Sequence, residues 1–327
     1  MPLIESSYRP SRWWQHFPHL STITPALLRK VRVAPYERTT LELDDGDFLD
    51  LDWLKTEEGS GRLVIILHGL EGAADRPYIR GMARQFVAHG WDALCTNHRG
   101  CSGRMNRLLR MYHMGASDDV ARLVNHGIAE GYQQIGIVGF SLGGNLTLKY
   151  LGEHGTELPR QIIGGVAFSV PCHIASANVE IDKTKNRLYL RRFLKSLNEK
   201  VRLKHQLFPE QMPLPSGKAG DRWPHNFQTF DDRFTGPMHG FRDAADYWEQ
   251  SSSRQFIPQI TVPTLLVNAL NDSFLSEQCY PKEEAAAMDN FWLEIPNYGG
   301  HVGFGGQIGE PYWSEHRAVD FLTDCLA

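Results

Sequence analysis

Residues 135–151 read IGIVGFSLGGNLTLKYL, and this stretch decides the fold. It opens with an apolar run typical of a buried strand and closes with leucines at the spacing of a helix. Between them lies GFSLG, residues 139–143, which is a GxSxG motif. A serine at such a sharp strand-to-helix turn projects its hydroxyl from a strained backbone, and close packing requires the flanking glycines. Ser141 is therefore a candidate nucleophile.

The composition excludes several classes of protein. The 327 residues carry a net charge of −4, which gives no reason to expect nucleic acid binding. An apolar content of 42% is enough to form the core of a globular protein. The five cysteines show neither a CxxC pair nor metal-ligand spacing, so we expect reduced, buried thiols and no metal. Neither GxGxxG nor GxxxxGK[ST] occurs, so no nucleotide cofactor is expected.

The first 37 residues are rich in proline, aromatic and basic side chains, and we interpret residues 1–37 as an N-terminal arm lying on the body of the protein. Trp13 and Trp14 either anchor this arm to the core, which is the commoner case, or dip into a lipid surface. No secretory signal is recognisable, and no window approaches the roughly 18 apolar residues of a membrane span. We therefore expect a cytoplasmic protein.

Strand and helix patterns alternate along most of the remaining chain. Residues 39–54, TTLELDDGDFLDLDWL, predict an antiparallel hairpin, and RLVIIL at 62–67 predicts a strand buried on both faces of a sheet. The alternation continues to residue 170 and resumes after residue 258. Such short connections predict an α/β core, residues 38–170 and 259–327, with a mostly parallel central sheet flanked by helices.

Residues 171–258 interrupt the alternation and predict an inserted helical cap. A helical pattern of apolar residues runs from Leu190 to Val201, whereas Met212–Pro237 is rich in Pro, Gly and Asp and predicts a loop. Between Lys183 and Lys204, nine Lys or Arg residues stand against one acidic residue. This basic segment is either a solvated face of the cap or a contact for anionic lipid or an acidic substrate.

A serine hydroxyl needs a histidine to accept its proton and an acid to orient that histidine. Asp272 and His301 each follow a predicted strand of the core, so both belong at the sheet edge that carries Ser141. The order Ser, Asp, His along the chain is that of the α/β-hydrolase fold. Asp289 and Asp320 fall in or beside helices and fit the role of the acid less well.

The tetrahedral intermediate of acyl transfer carries an oxyanion that needs backbone donors. One donor is predicted to be the amide of Leu142, because it directly follows the nucleophile at the start of a helix. The other is predicted to be the amide of Leu70, in the loop HGLEG at 68–72 that follows an early buried strand.

Other residues near these motifs have weaker interpretations. Arg99 either braces its loop or binds an acidic head group. Cys101 is a poor alternative nucleophile, because no histidine and acid are placed for it. His68 and His113 are expected to support loops rather than bind metal, since no carboxylate or cysteine lies at ligand spacing.

The motifs together resemble the YheT-like α/β-hydrolases, bacterial relatives of eukaryotic membrane-associated lipid esterases and alcohol acyltransferases. The resemblance covers nearly the whole chain and places nucleophile, acid and base on Ser141, Asp272 and His301. It implies hydrolysis of carboxylic esters. The segments that carry it are PHLSTITP (18–25), HGLEG (68–72), NHRGCSG (97–103), YHMG before an acidic helix start (112–119), GFSLGGN (139–145), ND (271–272) and GGHVGF (299–304).

We therefore expect a carboxylesterase or lipase-like serine hydrolase without a cofactor, acting on short- to medium-chain acyl esters or lipid-derived esters. Two alternatives stay open: an alcohol acyltransferase with the same triad, and a non-catalytic binding protein on a hydrolase fold. The expected partner is a small-molecule ester. Transient contact with a lipid surface is compatible with the sequence, and no obligate protein partner is evident.

Overall fold

The computed structural model describes residues 3–57, 59–218, 220–306 and 311–326, and within these ranges nine strands form one sheet. In chain order the strands are β1 Leu3–Ile4, β2 Glu37–Glu42, β3 Phe48–Leu54, β4 Arg62–Leu67, β5 Asp92–Thr96, β6 Gln134–Phe140, β7 Ile162–Phe168, β8 Thr264–Val267 and β9 Phe291–Glu294. Their order across the sheet is β1-β9-β8-β7-β6-β4-β5-β3-β2. Only β3 pairs antiparallel with its neighbours, β2 and β5, so the sheet is mostly parallel as predicted.

Strand β4 shows why the sequence of a central strand is an unbroken run of apolar residues. Leu63, Ile65 and Leu67 belong to the hydrophobic core on one face. Val64 and Ile66, which alternate with them, belong to the core on the other face. Because successive side chains of a strand point to opposite faces, a strand covered on both sides needs apolar residues at every position. The prediction of a doubly buried strand is confirmed.

Helices cover both faces of the sheet. Helices α3 and α4 contribute to the core on one face, and α2 and α11 to the core on the other. The helices are α1 Pro18–Leu28, α2 Pro77–Ala88, α3 Ser117–Ala129, α4 Leu142–His154, α5 Ile174–Ile181, α6 Arg187–Leu207, α7 Phe227–Phe230, α8 Gly236–His239, α9 Ala244–Ser251, α10 Lys282–Ala287 and α11 Trp313–Asp324. A π-helical turn, Asp231–Thr235, joins α7 to α8.

The N-terminal residues contain two elements that the sequence did not predict. Strand β1 pairs with β9 at one edge of the sheet, and helix α1 follows at Pro18–Leu28. Tyr8 is buried and packs edge-on against Phe304 with ring centroids 5.8 Å apart. Trp13, in contrast, is 72% exposed, so the interpretation of this tryptophan as an anchor is wrong.

The predicted loop Met212–Pro237 is partly wrong, because its C-terminal part is helical. The side chain of Asn226 accepts a hydrogen bond from the Thr229 amide and caps α7. Phe227, Phe230 and Phe234 then bury their rings in one hydrophobic cluster. Their spacing of three, four and seven residues is that of a helix face, and burial of these rings outweighs the loop-like composition of the segment.

Among the described residues of 171–258, regular structure is helical throughout. The division into arm, core and cap stays a prediction. In the part of the chain that the structure describes, no helix is both long enough and apolar enough for a membrane crossing.

Candidate active site

Ser141 lies at the turn between β6 and α4 in a strained conformation, with φ +53°. The flanking glycines make this turn possible. A Cβ atom on Gly143 would lie 2.3 Å from the carbonyl oxygen of Leu67, and one on Gly139 would lie 2.2 Å from that of Gly143. Both distances fall below any real contact, and both partners are backbone atoms that cannot move aside. The GxSxG pattern is thus required by the close approach of α4 to β4 and β6.

The structure brings Ser141, Asp272 and His301 together. Ser141 Oγ lies 2.9 Å from Nε2 of His301, and Nδ1 of His301 lies 2.8 Å from Oδ2 of Asp272. The Asp272 side chain is fully buried, and its Oδ1 accepts the amide of Phe274 at 2.9 Å. A carboxylate only accepts, so Nδ1 of a neutral His301 carries the proton. Nε2 is then free to accept the proton of Ser141.

The loop of His301 is held by polar groups from three different elements. The His301 amide donates to Thr22 Oγ1 of helix α1 at 2.9 Å, and the next amide, that of Val302, donates to Ser169 Oγ at 2.9 Å. The amide of Gly300 donates to Asn271 Oδ1 at 2.9 Å. These bonds fix the backbone that carries the imidazole, so the ring is oriented before any substrate arrives.

Backbone strain concentrates around this site. Among the described residues, the non-glycine residues with positive φ are Glu71, Ser141, Ser169 and Val302. All four follow strands of the sheet at the edge where the triad lies. Such conformations persist only where neighbouring contacts enforce them, and they cluster at functional sites.

The two predicted oxyanion donors lie in the same cavity as Ser141 and His301. The Leu142 amide belongs to the first residue of α4, where helix amides have no partner within the helix. In the other loop, the amide of Gly69 donates to Tyr78 Oη at 3.1 Å and that of Glu71 donates to Tyr112 Oη at 3.0 Å. No acceptor among the described residues takes the Leu70 amide, which leaves it available to a ligand.

The interpretation of Arg99 as a loop brace is confirmed. Its side chain is fully buried and forms ion pairs with Asp45, Asp47 and Asp119 at 2.7–2.8 Å. Because the guanidinium is fully buried and paired with three carboxylates, it is not open to a substrate head group.

The structure also settles the weaker candidates. Burial raises the pKa of the Cys101 thiol, which opposes the thiolate that a nucleophile needs. Nδ1 of His68 donates to the carbonyl of Gly69 at 2.7 Å and so supports the HGLEG loop. His113 lines the cavity, and its Nδ1 accepts the amide of Gly115 at 3.2 Å, which supports its own loop.

The cavity above Ser141 encloses about 930 Å³, the solvent at its mouth included. Helices of residues 171–258 supply much of its wall, and most of the lining is apolar. The ring of Phe274 lies 4.4 Å from that of His301, so the apolar wall begins beside the triad. Other aromatic and aliphatic side chains continue it: Phe193, Phe227, Phe230, Leu197, Ile174 and Ile181.

Comparison with known proteins identifies the family. A family model described as the alpha/beta hydrolase fold matches residues 62–305. YheT of Escherichia coli (strain K12) is 34% identical over 315 residues, which cover 94% of this chain and 91% of YheT. The chain belongs to the YheT-like α/β-hydrolases. Its membership confirms the predicted fold and makes it a hydrolase.

Some relatives of this YheT-like hydrolase carry names of ester-cleaving enzymes. YheT itself is named as a candidate esterase. Phospholipase ABHD3 of Mus musculus is 26% identical, and the match covers 93% of this chain and 74% of ABHD3. The structure of the Pyrococcus furiosus esterase Pf2001 aligns with a TM-score of 0.58 at 15% identity, covering 100% of this chain and 99% of that one. At that identity the likeness concerns the fold alone.

Sequence reasoning missed several residues that shape the site of this YheT-like hydrolase. Thr22 lies in the segment PHLSTITP, which the resemblance singled out without giving it a role. Ser169 follows β7, and no sequence motif comparable with GxSxG announces its positive φ. Phe274 lies two residues after Asp272, a spacing that suits a hydrogen bond from its backbone amide back to the Asp272 carboxylate. That spacing is the one signal that was available in advance.

Asp231 is a buried carboxyl in the wall of the same cavity. Thr235 Oγ1 donates to one of its oxygens at 2.6 Å, and Trp248 Nε1 donates to the other at 2.7 Å. Burial raises the pKa of Asp231 from 3.8 to about 7. The folded state therefore holds this proton more tightly than the unfolded state does. Stability is gained at low pH and is lost as the pH rises from about 4 to about 7.

Asp231→Asn, which cannot titrate, should remove this loss. Only the wild type then loses stability as the pH rises. The unfolding free energy of the variant minus that of wild type should therefore increase by about 2 kcal/mol from pH 5 to pH 8, since each pKa unit corresponds to about 1.4 kcal/mol. Urea unfolding of both proteins at the two pH values measures the change. An equal difference at both pH values would show that the carboxyl does not titrate in this range.

Proposed function

We propose that this hydrolase cleaves carboxylic esters through an acyl-enzyme on Ser141. The observation that carries the proposal is the hydrogen-bonded chain from Ser141 through His301 to Asp272. Ser141 and His301 belong to the lining of a largely apolar cavity. A chain of this kind raises the reactivity of a hydroxyl that is otherwise a weak nucleophile at neutral pH.

In the first step, Ser141 Oγ attacks the carbonyl carbon of the ester while Nε2 of His301 takes the hydroxyl proton. The carbonyl oxygen becomes an oxyanion, which accepts hydrogen bonds from the amides of Leu70 and Leu142. Asp272 stabilises the imidazolium that forms. The tetrahedral intermediate collapses, and His301 gives its proton to the departing alcohol.

In the second step, water replaces the alcohol. His301 accepts a proton from the water as its oxygen attacks the acyl carbon, and a second oxyanion forms at the same two amides. Collapse of this intermediate breaks the bond to Ser141 Oγ, which recovers its proton from His301. The products are a carboxylic acid and the free enzyme, and no cofactor takes part in either step.

The proposed substrates are short- to medium-chain acyl esters or esters derived from lipids. Two phenylalanines of the cavity wall, Phe193 and Phe274, pack against each other with ring centroids 6.4 Å apart and offer an apolar surface for an acyl chain. The phospholipase name of a relative supports a lipid-derived substrate. A panel of p-nitrophenyl esters from acetate to decanoate tests the proposal. We expect turnover that peaks at short or medium chains, and labelling by a fluorophosphonate. Absence of both would point instead to a binding protein on a hydrolase fold.

We also propose a cytoplasmic location with transient contact with lipid surfaces. The support for such contact is the exposure of large apolar side chains, with Trp13 at 72%, Phe17 at 54% and Leu188 at 76%. Leu188 lies on the basic helix α6, where lysine and arginine side chains suit an anionic surface. Small-molecule esters are the proposed partners.

A further inference from the structure

Glu71, the residue after Leu70, adopts a left-handed backbone conformation with φ +54°. Non-glycine residues stay in this region only where neighbouring contacts hold them. Its side chain is 8% exposed, and three donors surround the carboxylate. Tyr112 Oη lies 2.5 Å from Oε1, Lys200 Nζ lies 2.8 Å from the same oxygen, and Ser196 Oγ donates to Oε2.

Two of these three donors come from helix α6. Ser196 and Lys200 are one helical turn apart, and they lie 125 and 129 residues from Glu71 along the chain. The long helix of the predicted cap therefore contacts the loop that carries the Leu70 amide. We call the set Glu71, Tyr112, Ser196 and Lys200 the loop latch.

The loop latch acts on one side of the Leu70 amide, and a second set of bonds acts on the other. The carbonyl of Gly69 accepts hydrogen bonds from His68 Nδ1 at 2.7 Å and from the Gly72 amide at 3.0 Å. A peptide group is planar, so a fixed Gly69 carbonyl also fixes the plane of the Leu70 N–H. The loop latch fixes the residue that follows. The hydrogen bonds on the Gly69 carbonyl and those on Glu71 must both be present for the Leu70 N–H to keep one direction.

The ion pair in the loop latch is shielded from solvent. The Lys200 side chain is 14% exposed, so water and salt screen the pair weakly. Burial lowers the pKa of Lys200, but the neighbouring Glu71 carboxylate raises it, and the net shift is upward, so the ammonium remains charged at neutral pH. If α6 moved away, the carboxylate of Glu71 would lose its cation and one hydroxyl donor, and the left-handed φ would lose its support.

We propose that Lys200 is a positioning residue for the oxyanion hole: by holding Glu71 from helix α6, it keeps the Leu70 amide aimed at the developing oxyanion. Ester cleavage then requires α6 to be docked on the HGLEG loop. This inference rests on the proposed ester hydrolysis by Ser141 and assigns the cap a part in catalysis beyond forming the pocket wall.

Lys200→Met keeps the apolar stem and removes the ammonium. We expect kcat for p-nitrophenyl butyrate to fall about 10- to 100-fold while KM changes less than about twofold, because an oxyanion donor acts on the transition state. Affinity for butylboronic acid, which forms a tetrahedral adduct with a serine, should fall by a similar factor. Affinity for butyrate, the planar product, should not change.

Lys195→Met removes an exposed lysine from the same helix and is the matched control, with an expected kcat equal to wild type. Lys200→Arg restores a cation and should recover part of the loss. Ser196→Ala is a milder change to the loop latch. It serves as the test variant if Lys200→Met does not fold, and Ser196→Ala should then show the same selective fall in kcat.

A folded Lys200→Met with wild-type kcat, or a loss expressed only in KM, would overturn the role of Lys200 and leave the proposed function intact. If Lys200→Met does not fold, wild-type kcat in Ser196→Ala would overturn it. A wild-type protein without ester turnover would overturn the proposed function and the loop latch with it.

Discussion

Ser141→Ala is expected to lower kcat for p-nitrophenyl esters by about 10⁵-fold or more, since no acyl-enzyme can form without the hydroxyl. The substitution removes one oxygen atom and keeps the strained turn, whose shape depends on Gly139 and Gly143. KM for any residual reaction should therefore change little. The measurement is steady-state turnover of wild type and variant, prepared separately so that trace wild-type enzyme does not mask the loss.

Ser216→Ala is the matched control for this experiment. Ser216 is exposed in the segment between α6 and α7, and its replacement should leave kcat at the wild-type value. If Ser141→Ala retained a tenth of wild-type turnover, another group would have to be the nucleophile.

Asp272→Asn should lower kcat by about 10³- to 10⁴-fold, because it reverses the tautomer of the histidine. The Phe274 amide requires an acceptor at the Oδ1 position, so the amide oxygen of the new side chain remains there. Its NH₂ group then faces Nδ1 of His301, which has to accept. The ring proton moves to Nε2, and His301 can no longer take the proton of Ser141.

Asp289→Asn supplies the comparison for Asp272, because Asp289 is an exposed aspartate beside α10. It should retain wild-type activity. A loss in Asp272→Asn smaller than about tenfold, with the fold intact by circular dichroism, would contradict the assignment of Asp272 as the orienting acid.

The centre of the fold could be predicted because local sequence and tertiary position agree there. Buried parallel strands such as β4 need apolar residues on both faces, and this requirement leaves a continuous apolar run. The turn at Ser141 needs glycines for steric reasons, which leaves a motif. The hairpin of β2 and β3 was likewise readable from alternation and its Asp-Gly turn, and their antiparallel pairing confirms it.

The periphery could not be predicted, because its elements form through contacts distant in sequence. Strand β1 is two residues long and exists only by pairing with β9. Helix α1 contains Pro25, which normally argues against a helix. In α7, burial of Phe227 and Phe230 outweighs a composition typical of loops.

The candidate site divides in the same way. The positions of Ser141, Asp272 and His301 followed from the rule that loops after parallel strands meet at one edge. Their mutual distances, the support from Thr22 and the contact between Glu71 and helix α6 required the folded chain. No local pattern signals a contact that spans more than a hundred residues.

Mass spectrometry of the protein after reaction with a fluorophosphonate tests the central claim most directly, since the reagent reacts with an activated serine through the same attack as the ester. We expect one adduct, on Ser141, and no adduct in Ser141→Ala. An adduct confined to another residue, or full inhibition of ester cleavage while Ser141 stays unmodified, would contradict the account.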